Sequence, residues 1–131
     1  MEKVTLFRPV GQKEYELIKE SGMRKFPPRL SWQPIFYPVL NLEYAAQIAS
    51  DWNTKDEFSG YVGYVLSFDI PREHFQKFNI ENVGAANHNE LWVPAEELEE
   101  FNNQLLGPIR VEQAFYGEHF AGRQAHITHY D

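Results

Sequence analysis

Cysteine is missing from this sequence altogether, which excludes disulfides, zinc–thiolate centres and cysteine nucleophiles. That lack fits a reducing compartment, and a cytoplasmic location is the expectation. Long apolar runs are missing too. Nothing approaches the ~18 apolar residues of a membrane span, and the opening MEKVTLFRPV carries no long apolar core of the kind that marks a secretory signal. Positive charge is scarce: 12 Lys and Arg stand against 19 Asp and Glu, a formal net charge of −7, and no stretch concentrates the basic residues. A duplex-binding protein presents a basic patch or stripe. Nucleic acid and membrane surfaces are therefore not the expected partners, although a small local anion pocket is compatible with the count. Several signatures are absent as well: there is no G-x-G-x-x-G, no P-loop lysine motif, no G-x-S-x-G and no H-E-x-x-H.

What is there suits one domain. The 131 residues are 43% apolar and 15% aromatic, enough to bury a core, and the 24% that are charged match a globular surface. VTLFRPV reads as a first strand, ended by Pro9 and Gly11. QKEYELIKESG reads as a helix with Leu17 and Ile18 on its apolar side and Gly22 as its stop. Prolines 27, 28 and 34 make MRKFPPRLSWQP a loop, with Trp32 expected to be buried beneath it. IFYPVL is a short strand. NLEYAAQIASDWN is the clearest helix, capped by Asn41, with Ala45, Ile48, Ala49 and Trp52 forming one buried stripe.

YVGYVLSFDIP alternates cleanly, with Val62, Tyr64, Leu66, Phe68 and Ile70 on one face. Residues 71–87 are ambiguous between a helical turn in PREHFQKF and a short strand in FNIENVG. ELWVP is a strand. AEELEEFNNQLL is a helix that turns Leu98, Phe101 and Leu105 inward and keeps its acids in the first turns. IRVEQAFY is a last strand with Ile109, Val111 and Phe115 on one face and Glu112 solvated. Helices do not follow every strand, so the order predicts an α+β fold with small mixed or antiparallel sheets rather than a doubly wound one. Residues 1–116 form the domain and 117–131 a C-terminal tail.

Three apolar strands each carry one conspicuous side chain beside a proline or turn: Arg8 in LFRPV, Tyr37 in IFYPV and Glu90 in NELWVP. Strand ends are where side chains line clefts. Among the histidines, His126 and His129 with Asp131 have a spacing a metal could use, but surface histidines on a tail are the simpler reading, and no metal is expected.

Through these residues the sequence resembles the ADP-ribosyltransferase-like superfamily. Its first-strand motif of leucine, aromatic, then histidine or arginine is matched by Leu6-Phe7-Arg8. Its second strand and alanine-paired helix are matched by IFYPVLNLEYAAQIASDW. Its strand with a glutamate before a short apolar run is matched by ELWVP. The chain is also similar to small bacterial proteins labelled as ADP-ribosylation related. It is too short and strand-rich for the large helical glycohydrolases that share that label.

The resemblance implies a compact fold of two small sheets with flanking helices, with NAD as substrate in the cleft between them. It implies transfer of ADP-ribose to an acceptor such as a protein, or hydrolysis of NAD. By the same carry-over Arg8 meets the phosphate or ribose, a task its planar fork of donors suits. Tyr37 stacks on the nicotinamide. Glu90 accepts from a ribose hydroxyl and stabilises the positive charge that develops as nicotinamide leaves. Trp92 and His88 share the Glu90 face of the pleat. Arg29 and Ser31 of the proline-rich loop stand where they could line the nucleotide cleft. Position 88 holds histidine where members that modify arginine usually have a second acid, which argues against arginine as acceptor, and Pro9 replaces a small residue. Two alternatives stay open: a non-catalytic interaction or regulatory domain on the same fold, and RNA 2′-phosphate transfer.

Overall fold

The longest strand organises the molecule. In this computed structural model, which describes residues 2–122, β3 (Val62–Pro71) runs between β1 (Lys3–Val10) and β6 (Arg110–Tyr116), antiparallel to both. A second three-stranded sheet places β5 (Asn89–Pro94) between β2 (Ile35–Phe36) and β4 (Asn79–Asn82), again antiparallel. Helices α1 (Gln12–Glu20), α2 (Leu42–Asp51), the single turn α3 (Arg72–Phe75) and α4 (Leu98–Asn103) flank them. The fold is thus α+β with two small antiparallel sheets, as the element order predicts.

Alternation decides how β3 packs. Val62, Tyr64, Leu66, Phe68 and Ile70 all join the main core, where Phe26, Phe36, Phe68 and Phe101 meet edge on or tilted. The opposite face is covered too. There Val65 packs with Ala45 and Ala49 of α2, and α2 comes so close at Gly63 that a Cβ on that residue would stand 2.7 Å from the Ala49 backbone. Further along this face, buried Asp69 takes two bonds from the Arg110 guanidinium and one from the Thr5 hydroxyl. Burial would raise its pKa, but those bonds and the charges of Arg110 and Lys3 hold it down at about 2.

Two expectations fail here for identifiable reasons. Val65 pairs with Gln113 while Leu66 pairs with Val111, so Glu112 is an extra residue in β6. Such a bulge flips every later side chain to the other face. Val111 therefore lies in the main core while Phe115 packs on the α2 side. Glu112 is not solvated: its carboxylate accepts from Ser67 Oγ at 2.6 Å and is only 15% exposed. The second failure is Trp52. The α2 helix ends at Asp51, which takes Trp52 out of the helical stripe and leaves it exposed.

The start of the proposed tail is packed rather than free. Gly117 N–H donates to the Tyr61 carbonyl, and the Phe120 ring tilts against Tyr116. His126, His129 and Asp131 lie outside the described residues. No helix among the described residues is long and apolar enough to cross a membrane.

His74 gives the fold a pH dependence. It is buried on α3 between the rings of Phe78 and Phe101, and its Nε2 has no hydrogen-bond partner. Burial pulls its pKa below the ordinary 6.5, the Lys77 charge adds to this, and Glu100 and Glu97 oppose it. A depressed folded pKa means the unfolded chain takes up the proton more readily. Stability is then full above about pH 6.5 and declines as pH falls from there toward the folded value. Asp69 titrates well below this window. The loss in melting temperature between about pH 7.5 and about pH 5.5 is expected to shrink in His74→Phe; an unchanged slope would show that other groups carry it.

Candidate functional site

Two proline-flanked strand ends and one buried valine build the site. Pro38 interrupts the segment after β2, so only Val39 makes ladder pairs, and it makes them on both sides. It exchanges backbone bonds with Phe7 of β1 (2.9 and 2.7 Å), and it stands opposite Glu90 of β5, where Leu91 N donates to Pro38 O and Leu40 N to Asn89 O. This seam joins the two sheets. It also places Arg8, the residue after Phe7, about two strand spacings or ~10 Å from the Glu90 backbone. Arg8, Tyr37 and Glu90 line one cleft of about 960 Å³, at the upper end of the range for small-molecule sites.

Glu90 is a fixed carboxylate. It is 8% exposed, and it accepts from Tyr44 Oη at 2.9 Å and from Trp92 Nε1 at 3.0 Å. Tyr44 comes from the first turn of α2, which starts there because Asn41 Oδ1 accepts from the Tyr44 backbone N–H. Burial, and next the hydrogen bond to Glu90, push the Tyr44 hydroxyl up to about 12. It therefore stays a donor at any pH near neutral. Four acids of the following segment, Glu96, Glu97, Glu99 and Glu100, are by contrast all exposed.

Arg8 is 6% exposed and gives Nε and Nη2 to the two oxygens of Glu14, at 2.7 and 3.1 Å. Its guanidinium carbon also sits 4.7 Å from the Phe36 ring centre and 5.6 Å from that of Tyr37. Burial alone would lower its pKa, but the charge and hydrogen bonds of Glu14 outweigh that and hold it above the ordinary value. Arg29 lies on the same cleft with a buried, unpartnered Nε. Burial and then the Arg8 charge lower its pKa. Two guanidinium groups thus share one end of the cleft with a single carboxylate. Lys13 and the start of α1, which has no side-chain cap at Gly11, line it as well. This end suits an anion.

The remaining expected site residues divide. Tyr37 is exposed and faces the cleft, rather than lying in the core. Trp92 bonds Glu90 without lining the cleft, and Ser31 is exposed outside it. His88 does not line the cleft either; its ring stacks on Tyr44 (centroids 4.3 Å apart, 13° between planes) and its Nε2 meets Gln47 Oε1 at 3.1 Å. It backs the tyrosine that holds Glu90. Trp32, expected to be buried, is exposed and lines the cleft, because the turn that carries it folds on itself through Leu30 and Gln33 and packs no helix over it.

Sequence reading missed Tyr44 and Glu14. Tyr44 had a signal: it sits one residue before the Ala45-Ile48-Ala49 stripe and four before Ile48, with which it lines the cleft. Glu14 had none, because an acid in the first turn of a helix is ordinary. The arrangement offers a cationic end, an exposed aromatic ring and a hydrogen-bonded carboxylate in one concave surface. Among the described residues no group of three His, Asp or Glu could hold a metal ion. No protein-family model matches the sequence, and no curated protein and no solved structure matches it either.

Proposed function

We propose that the chain is an ADP-ribosyltransferase-like protein that binds NAD in this cleft and transfers ADP-ribose to an acceptor or hydrolyses NAD. The observation that carries the reading is the convergence of Arg8, Tyr37 and Glu90 on one cleft, from three separate strand ends. In the reaction the bond between nicotinamide and the ribose C1′ breaks, and its electron pair leaves with nicotinamide. An acceptor nucleophile or water forms the new bond to C1′ and releases its proton. Glu90, accepting from a ribose hydroxyl, stabilises the positive charge on the ribose at the transition state. Tyr44 and Trp92 hold the carboxylate ready, so little reorganisation is needed when the charge develops. Tyr37 gives the nicotinamide a face, and Arg8 with Arg29 takes the pyrophosphate. The absence of cysteine suits work in a reducing cytoplasm.

A second reading has its own support. The Arg8 fork is already engaged by Glu14, as it would be in a domain kept for regulation or interaction rather than chemistry. RNA 2′-phosphate transfer is disfavoured by the net charge of −7. Labelled NAD separates the readings. Turnover by wild type, with a loss of about 10²–10³ in Glu90→Gln at unchanged melting temperature, supports the transferase. Millimolar NAD that neither binds nor turns over leaves the interaction domain.

A further inference from the structure

We propose that the outer edge of β4 is a strand-addition site for an extended segment of a partner protein that carries a lysine or arginine. β4 is a border of the second sheet and pairs, among the described residues, with β5 alone. Its residues lie outside the cleft lining, and the inference rests on neither reading of the cleft.

The ladder fixes which backbone groups point outward. Val83 N–H donates to the His88 carbonyl at 3.0 Å, so these two residues form a hydrogen-bonded pair. The alternation of an antiparallel ladder then makes Glu81 with Glu90, and Asn79 with Trp92, hydrogen-bonded pairs as well. β5 agrees: the Leu91 N–H and the Asn89 carbonyl turn the other way, to Pro38 and Leu40. Ile80 and Asn82 therefore direct N–H and C=O away from β5, and both residues are exposed. Proteins blunt such a border with proline, lysine or a bulge. The four residues NIEN hold no proline and no lysine, and their register with β5 runs without a shift. Ile80 and Val83, each about half exposed, lie on opposite faces and offer apolar contact to both sides of an added strand.

Charge selects the occupant. Glu81 stands directly opposite Glu90 on the same face of the pleat, a like-charge pair of the kind that destabilises a sheet. Among the described residues neither carboxylate has a cation as partner. Glu90 has only the neutral donors Tyr44 and Trp92. A lysine or arginine on the added strand, opposite Glu81, supplies the missing charge. A second copy of this chain does not. Self-pairing through Ile80 and Asn82 of both copies sets one Glu81 directly against the other, and each copy carries a net charge of −7. The partner pattern that β4 fits is an apolar residue facing Ile80, a basic one facing Glu81 and an apolar one facing Val83.

The test is a titration of the full chain, following the backbone amide signals of Ile80 and Asn82 by NMR. The probe is a peptide of about eight residues, built of valine and threonine around one central lysine. Its controls are a copy with glutamate for the lysine, a copy with every amide N-methylated, and lysine amide alone. The lysine peptide is expected to move both amide signals and slow their hydrogen exchange, and to bind about fivefold or more tighter than the glutamate copy. Glu81→Lys is expected to reverse that preference at an undiminished melting temperature, because the change relieves the repulsion with Glu90. If that variant does not fold, the two peptides decide the charge on wild type alone. The inference is overturned if millimolar lysine peptide leaves both amides unmoved, or if the lysine and glutamate peptides bind alike. It is also overturned if the N-methylated copy or lysine amide moves the signals as far as the lysine peptide does. Shifts that follow protein concentration alone would overturn it too, by making a second copy the occupant.

Discussion

Gly63→Ala is expected to lower the melting temperature by several degrees and to weaken whatever ligand the cleft takes. The added Cβ would stand 2.7 Å from the Cα, Cβ and carbonyl oxygen of Ala49, and no flexible side-chain end is there to yield. The helix α2 must lift from β3. Overpacking of this kind costs about 1–3 kcal/mol, and a domain of this size loses on the order of 3–5 °C per kcal/mol. The displacement would travel to the site, because the first turn of α2 carries Tyr44, whose hydroxyl holds Glu90. Calorimetry with a ligand titration checks both parts. A melting temperature within about a degree of wild type would mean that the helix is not wedged on the strand as described.

The second large effect concerns the ion pair in the cleft. Arg8→Ala leaves the Glu14 carboxylate without the guanidinium that neutralises it and strips the cation from the Phe36 ring. Breaking a buried pair on one side costs about 3–5 kcal/mol, and the Glu14 side chain, 23% exposed, places this case at the low end. The double variant Arg8→Met with Glu14→Gln is expected to recover most of that loss, since no charge is then stranded. Glu14→Gln alone should fall between them in stability yet bind phosphate-bearing ligands more tightly, because Arg8 and Arg29 then face the cleft with no competing carboxylate. Chemical denaturation of these chains, with Arg8→Met alone as the fourth corner beside wild type, Glu14→Gln and the double variant, closes the cycle. If the double variant is as unstable as Arg8→Ala, the loss belongs to packing around the guanidinium rather than to charge.

Most elements were legible because their signals are local. The alternation of β3, the Asn41 cap of α2 and the Gly22 stop of α1 follow from period and backbone preference. What the sequence hid is relational. The bulge at Glu112 is a property of how β6 pairs with β3, and no feature of RVEQAFY announces it. The exposure of Trp32 and Trp52 depends on what fails to pack over them, and an isolated stripe of apolar spacing cannot tell core from cleft wall. Arg8, Tyr37 and Glu90 could be singled out because each interrupts an apolar strand. The Tyr44 and Trp92 bonds that give Glu90 its fixed position come from tertiary contact.

The valine seam has a further consequence for the solubility of the protein. An outer strand is an open row of backbone donors and acceptors that invites another chain to pair, and β1 is the outer strand of its sheet. Val39 occupies the pairing groups of Phe7, and Pro9 next to it has no N–H to offer. The other border, β6, is broken by its bulge and carries Arg110 and Glu112. Both borders of the sheet are therefore poor templates for a second copy. On β1, the bonds that form the wall of the cleft also keep the molecule from adding strands at that side.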